Sequence, residues 1–377
     1  MALPHKYLQS MVKDANGALG DLGTLLPLSL GAIGVAGLAP VPVLLGFAIF
    51  YIATGLYYRL PIPVQPMKAV TAVLLTSQVS AESLVASGIL IGAALLILGA
   101  TGWINRFARL IPRSVLSGLQ LGLGLLLASM SVGLIWTSLP VGVATLGVLV
   151  LMLWLRPNLP IALLGLGVAV LLGVFTGAPG LTLGIVEPAS FSLPTMPGLA
   201  AWEEGFSVLA LPQLALTLTN AIVLTALLAE DYFGERAHRV TPARLSVSTG
   251  LATMFLVPLG ALPMCHGAGG LAAHYRFGAR TGRAPVILGV GLLAVVFVPG
   301  GLALLSAVPS AGLGALLLVA AAELAFTRRL TSARPSCWPV IAITALVTVW
   351  ADPFAGLLAG GLAEAIRVAW VRRYRTA

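Results

Sequence analysis

The sequence predicts an all-α polytopic membrane protein: fourteen transmembrane segments arranged as 7+7 inverted repeats, with half-helices at segments 3 and 10. Three observations predict it. The composition suits a chain immersed in lipid, the basic residues fall on one side of a fourteen-span count, and two spans at equivalent positions are broken by proline and glycine. Of 377 residues, 59% are hydrophobic and only 9% charged, with a mean hydropathy of +1.02. A soluble globular domain carries about 25% charged residues, so apolar spans are expected rather than a water-soluble core. The N-terminal stretch MALPHKYLQSMVKDANG lacks the apolar core and small-residue cleavage site of a secretory signal, so the first helix is expected to be retained. Cys265 and Cys337 are too few and too far apart for a disulfide framework.

Apolar runs bounded by Gly, Pro and charges place segments 1 to 7 near 15–35, 40–58, 66–80, 83–102, 114–136, 139–155 and 159–177. A polar connection, 178–206, follows. Segments 8 to 14 lie near 208–229, 242–260, 266–280, 284–305, 309–326, 337–350 and 353–371. On this count 20 of the 21 basic residues reach the same side, from Lys6 and Lys13 through Arg59, Arg109, Arg156, Arg239, Arg280 and Arg328 to Arg375. The positive-inside rule makes that side cytoplasmic, together with both termini. The opposite connections carry only acids: Glu82, Glu187, Glu203, Glu204 and Asp352. The net charge of +9 therefore reflects topology and anionic lipid, and no nucleic-acid partner is expected. Because seven is odd, the second set enters the membrane inverted, an arrangement typical of secondary transporters that bind substrate where discontinuous helices meet.

The one basic residue outside this pattern is Lys68, inside segment 3, in the stretch PIPVQPMKAV. Pro61, Pro63 and Pro66 force an extended approach, and Gln65, preceding a proline, avoids helical dihedrals. Pro66 suits the first position of a helix, where its missing N–H leaves nothing unsatisfied. A helix starting there leaves the amides of Met67, Lys68 and Ala69 without intrahelical partners. Such an end attracts anions through its donors and its dipole, and Lys68 adds a full positive charge.

Segment 10 reads LPMCHGAGGLAAHYRFGARTG, with a helix expected to start near His266. Gly267, Ala268, Gly269 and Gly270 let backbone donors approach a ligand closely. Two such helix starts facing each other would form a small, positive, donor-rich pocket, suited to a compact tetrahedral anion. The plainer reading of GAGG is tight helix packing, and an intramembrane lysine can snorkel or pair with a carboxylate such as Asp21. Cys265 beside His266 offers two ligands without partners, so neither a metal centre nor a cofactor is expected. Further intramembrane polar groups are Asp21 and Thr24 in segment 1 and Thr219 and Asn220 in segment 8. Thr219 and Asn220 could donate laterally to an oxyanion. Asp21 is read as balancing Lys68, capping a break or carrying a coupling proton, and Glu230 as a gate or coupling charge. Glu364 is expected to pair with Arg367.

The stretches GDLGTLLPL (Gly20 to Leu28), PIPVQPMKAV (Pro61 to Val70), LTLTNA (Leu216 to Ala221) and PMCHGAGGLAAHYRFGARTG (Pro263 to Gly282) resemble the bacterial and plant molybdate transporter family, related to the sulfate permease (SulP) superfamily. The resemblance implies the inverted fold of sulfate and nucleobase permeases. A core domain would comprise residues 1–105 and 207–305, and a gate domain 106–206 and 306–377. It further implies molybdate import across the cell (inner) membrane by an elevator-type movement, with Gln65, Pro66, Met67 and Lys68 on one side of the oxyanion. His266, Gly267, Ala268, Gly269 and Gly270 would bind the other side, and Thr219 and Asn220 would lie lateral. Tungstate and sulfate share the substrate's shape and charge, a proton is the candidate coupling ion, and a homodimer is common for the fold. The chain ends at Ala377, soon after its last span, so no STAS domain is expected. A nucleobase permease would place carboxylates where Asn220 and His266 stand. A channel would use several weak sites rather than one with a lysine. An enzyme would need partners that Cys265 and His266 lack.

Overall fold

The computed structural model of the chain describes residues 5–104, 106, 112–155, 161–178, 180 and 197–375. Arg109, Arg156 and Glu187, which enter the orientation argument, lie outside them. The described chain is mostly helical. The helices are α1 (His5–Ala18), α2 (Leu22–Gly34), α3 (Pro40–Tyr58), α4 (Lys68–Thr76), α5 (Ala81–Thr101), α6 (Arg113–Trp136), α7 (Leu139–Leu155) and α8 (Ile161–Thr176). Then come α9 (Leu199–Arg239), α10 (Pro242–Leu256), α11 (Ala268–Arg276), α12 (Arg283–Phe297), α13 (Ser310–Ala325), α14 (Trp338–Trp350) and α15 (Pro353–Arg375). By length and composition α3, α5, α6, α9 and the Pro353–Val371 part of α15 can each cross a membrane. Large apolar side chains stand exposed on the outside, among them Phe175, Trp154 and Trp350. Surfaces of this kind suit lipid rather than water.

Several boundaries differ from the sequence expectation, each for a local reason. Segment 1 is broken: a single 3₁₀ turn, Leu19–Asp21, separates α1 from α2, and the two halves bend by 46°. Gly17, Gly20, Asp21 and Gly23 cluster at the bend, and all four are poor helix formers. α9 begins well before 208 and absorbs the end of the 178–206 connection. Two of its stretches, Gly205–Ala210 and Thr217–Leu224, are π-helical, a form that concentrates at functional sites. α12 stops at Phe297, short of the expected 305, because Pro299 and two glycines follow and Gly300 takes φ +81. α4 and α11 start at Lys68 and Ala268, each two residues later than expected, because a strand precedes each of them.

The helices pack in matched pairs. α3 lies along α12, and its counterpart pair is α10 along α5. Likewise α6 on α14 matches α13 on α7, α14 on α15 matches α7 on α8, and α6 on α15 matches α13 on α8. Contacts concentrate within two groups, one containing α3, α5, α10 and α12, the other α6 to α8 and α13 to α15. The groups touch where α4 meets α6 and α2 meets α13. Close approach in the first group depends on small residues: a Cβ on Gly92 of α5 would lie 2.6 Å from Met254 Cβ and 2.9 Å from the Gly250 carbonyl oxygen of α10. Gly92→Val should therefore push these helices apart at about 1–3 kcal/mol. The expected result is a clear drop in melting temperature of the detergent-purified protein, read by thermal-shift fluorescence.

Candidate anion-binding site

Two short strands sit at the centre of the fold. β1 (Gln65–Pro66) pairs antiparallel with β2 (Met264–Cys265), with Gln65 opposite Cys265 and Pro66 opposite Met264. The Met67 amide extends the pairing by donating to the Pro263 carbonyl at 2.9 Å. Each strand leads directly into a nine-residue helix, α4 and α11, and the antiparallel pairing sends the two helices off in opposite directions. Met67 (φ −66, ψ 108) and Gly267 (φ −71, ψ 128) are the extended residues before the two helices, and neither caps its helix with a side chain. The amides of both first turns therefore look outward for acceptors.

The two starts meet that demand differently. At α4, Gln213 of α9 reaches across: its Oε1 accepts from the amides of Ala69 (2.9 Å) and Val70 (3.3 Å), while its Nε2 donates to Thr217 Oγ1 (2.8 Å). Gln213 is fully buried. At α11, among the described residues, the amides of Ala268, Gly269 and Gly270 have no acceptor; the first helical bond runs from Leu271 to the Gly267 carbonyl at 3.2 Å. Gly269 is exposed, and a Cβ there would meet no atom within 4 Å. Lys68 is half-buried, and among the described residues no carboxylate lies within 4 Å of it.

The expected site residues fall into three groups. Lys68, Gly269, Thr219 and Asn220 retain exposure. Thr219 bonds back to the Ala215 carbonyl (3.0 Å) and lines a cavity of about 1540 Å³ that also touches Glu230, Arg113, His238 and Arg329. Gln65, Pro66, Met67, His266, Gly267, Ala268 and Gly270 are buried, and Thr24 is half-buried. Asp21, also buried, forms a hub: Gln65 Nε2 donates to Oδ1 and Tyr51 OH to Oδ2, both at 2.5 Å, and His274 Nε2 lies 3.8 Å from Oδ2. Asp21 thus pairs with His274 rather than balancing Lys68. Gly267 and Gly270 are glycines for space: a Cβ on the first would overlap Gln65 Oε1, and one on the second would overlap Asp21 Oδ1.

His266 was expected to face substrate, but its ring is engaged at both nitrogens. Nδ1 donates to the Pro63 carbonyl (2.8 Å) and Nε2 pairs with Ser248 Oγ (2.8 Å), which Tyr58 OH also meets at 2.8 Å. His274 acts in parallel, its Nδ1 donating to the Pro61 carbonyl at 2.9 Å. The extended proline run cannot supply helical partners to these carbonyls, and the two histidines of segment 10 do so. His274 and Gln213 were not singled out from sequence. The signal for His274 was a second intramembrane histidine facing a second proline carbonyl. For Gln213, in LPQLAL, composition alone gave none. Glu364 pairs with Arg367 at 2.6 Å, as expected.

This architecture, with two short helices starting at paired strands, has the fold of solved membrane anion transporters. Among solved structures, the chain matches the transmembrane domain of the cyanobacterial bicarbonate transporter BicA (TM-score 0.66, 16% identity, 94% of this chain and 98% of that one). It also matches the murine Slc26a9 anion transporter in the inward-facing state (TM-score 0.72, 14% identity, 98% and 73%). Residues 13–127 and 205–324 match the family described as "Molybdate transporter of MFS superfamily". The chain belongs to the molybdate transporter family. It is 31% identical to Molybdate transporter 1 of Arabidopsis thaliana over 97% of its own length and 90% of the relative. To Molybdate transporter 2 of the same plant it is 30% identical over 84% and 78%.

The space around the two glycines yields a paired expectation. Gly270→Ala forces a methyl into Asp21 and Gln65 and should lower thermal stability by about 1–3 kcal/mol, whereas Gly269→Ala should melt with the wild type. Differential scanning fluorimetry of both variants in one detergent checks the contrast.

Proposed function

We propose that the protein is a secondary active transporter that imports molybdate across the plasma membrane, holding the oxyanion between the starts of α4 and α11. The observation that carries this reading is that the paired strands lead into one helix start bearing Lys68, half-buried with no carboxylate within 4 Å among the described residues, and into another whose amides of Ala268, Gly269 and Gly270 lack acceptors. A dianion supplies what both lack: charge for the ammonium and lone pairs for the amides, whose helix dipole also favours it. Asn220, half-buried on a π-helical stretch of α9 that packs on α11, gives a neutral lateral donor. The named substrate of the curated relatives favours molybdate over sulfate, which has the same charge and shape.

Fourteen spans in two inverted sets of seven fit the matched packing pairs, and a core of 1–105 with 207–305 moving against a gate of 106–206 with 306–377 fits the two groups of contacts. The cavity beside Thr219 and Glu230, bounded by Arg113 and Arg329, supports a route from the site to the cytoplasmic side. His266 and Gln65 then act as positioning residues for the strand pair rather than as ligands. Glu230, exposed in that cavity, remains open to a coupling proton.

Lys68→Ala should weaken molybdate binding by more than about tenfold, the scale of losing a hydrogen bond to a charged group, while melting like the wild type. Calorimetry on purified protein, with tungstate, sulfate and phosphate as competitors, decides the matter. Wild-type affinity in the variant removes Lys68 from the site, and preferential displacement by sulfate transfers the reading to sulfate.

A further inference from the structure

We infer that Gln213 is the positioning residue that sets the charge of the site: its neutral carboxamide closes the Ala69 and Val70 amides of α4, so the anion draws most of its main-chain donors from α11. This rests on the oxyanion reading above and adds to it which helix start does the binding. The two starts are built alike, each with an extended residue, no side-chain cap of its own and a nine-residue helix. They differ in what the neighbouring span presents. Segment 1 brings Asp21 against α11, but its Oδ1 accepts from Gln65 Nε2 and leaves the α11 amides alone. Segment 8 brings Gln213 against α4, and its Oε1 takes both the Ala69 and the Val70 amides.

The placement of Gln213 is specific. It sits on the short α-helical stretch Leu211–Leu216, between the two π-helical stretches of α9. Its Nε2 is held by Thr217 one turn on, which fixes the flip of the carboxamide so that oxygen faces α4. A glutamate would serve the two amides equally well as an acceptor, and a carboxylate is the stronger partner for a helix N-terminus. As a hydrogen-bond acceptor alone, Glu would serve here at least as well as Gln. A neutral Gln fits the demand that no fixed negative charge stand one turn from Lys68, where an arriving dianion must compete with it.

The elements packed on the Leu211–Leu216 stretch are α4, α5, α6 and α15. Their charged groups with described side chains are Lys68, Glu82, Arg113, and the mutually paired Glu364 and Arg367. Lys68 is thus the cation closest in sequence to the amides that Gln213 caps, and Glu323 of α13 is a carboxylate within its electrostatic reach.

The test is Gln213→Glu, purified and reconstituted in nanodiscs, with molybdate binding measured by calorimetry at neutral and mildly acidic pH and melting followed in parallel. The expected result is a folded protein, melting at or above wild type, whose affinity falls by at least about tenfold at neutral pH and recovers as the introduced carboxyl is protonated. Gln213→Met removes the carbonyl without adding charge. It should melt lower yet lose less than about threefold in affinity. Wild-type affinity of Q213E at neutral pH overturns the inference, and so does failure of Q213E to fold, since a carboxylate must be able to serve the two amides. Equal affinity losses in Q213E and Q213M, with no pH recovery, also overturn it. If the wild type itself binds no tetrahedral oxyanion, the functional reading fails instead.

Discussion

Main-chain N–H and C=O groups cannot be left without partners at bilayer depth, where no water competes for them. An unbroken helix meets this demand internally. Segments 3 and 10 do not, and most of the polar features of this chain answer the break. β1 and β2 satisfy each other. His266 and His274 supply donors to the carbonyls of Pro63 and Pro61, Thr225 donates to the His266 carbonyl at 2.8 Å, and Gln213 serves two amides of α4. After these pairings, among the described residues, the first amides of α11 still lack acceptors and Lys68 has no carboxylate within 4 Å. The proposed binding site draws on main-chain donors that the break leaves unsatisfied.

The same logic explains why Asp21 can stand near an anion site without spoiling it. Its carboxylate is enclosed by Gln65 and Tyr51, with His274 at 3.8 Å, and lies behind the Gly270 wall. Partners on both oxygens disperse its charge into the scaffold, and its hydrogen bond to Gln65 pins the strand that positions Lys68. On the proposed reading Asp21 therefore acts through geometry. A carboxylate with no such enclosure, set against the α4 start, would act through its field.

Much of this was legible in the sequence because it follows from strong local rules. Three prolines in PIPVQPMKAV dictate an extended entry and a late helix start, and glycines in GAGG permit close approach. One lysine out of register with 20 others marks the interior. The pairing of β1 with β2 was not legible, since two-residue strands carry no periodicity. Neither was Gln213, because a single glutamine in an apolar helix looks the same whether it caps a neighbour or faces a cavity. The partners of His266 were not legible for a related reason: a histidine at a break is conspicuous, but the Pro63 carbonyl that engages it lies 203 residues away in sequence.

The matched packing of the two halves sharpens the contrast between their centres. Pairs such as α3 with α12 and α10 with α5 repeat the same apolar solution twice, as expected when burial and close packing are the only demands. At the two helix starts the repetition stops: proline, methionine and lysine lead into one, histidine and a glycine tract into the other. A symmetric pocket of two bare helix starts would hold a dianion by equal donors on both sides and offer no graded path out. Capping one start with a neutral acceptor beside a lysine makes that side charged and leaves the other dipolar. On the proposed reading the anion then meets a charged side chain on one side and main-chain dipoles on the other.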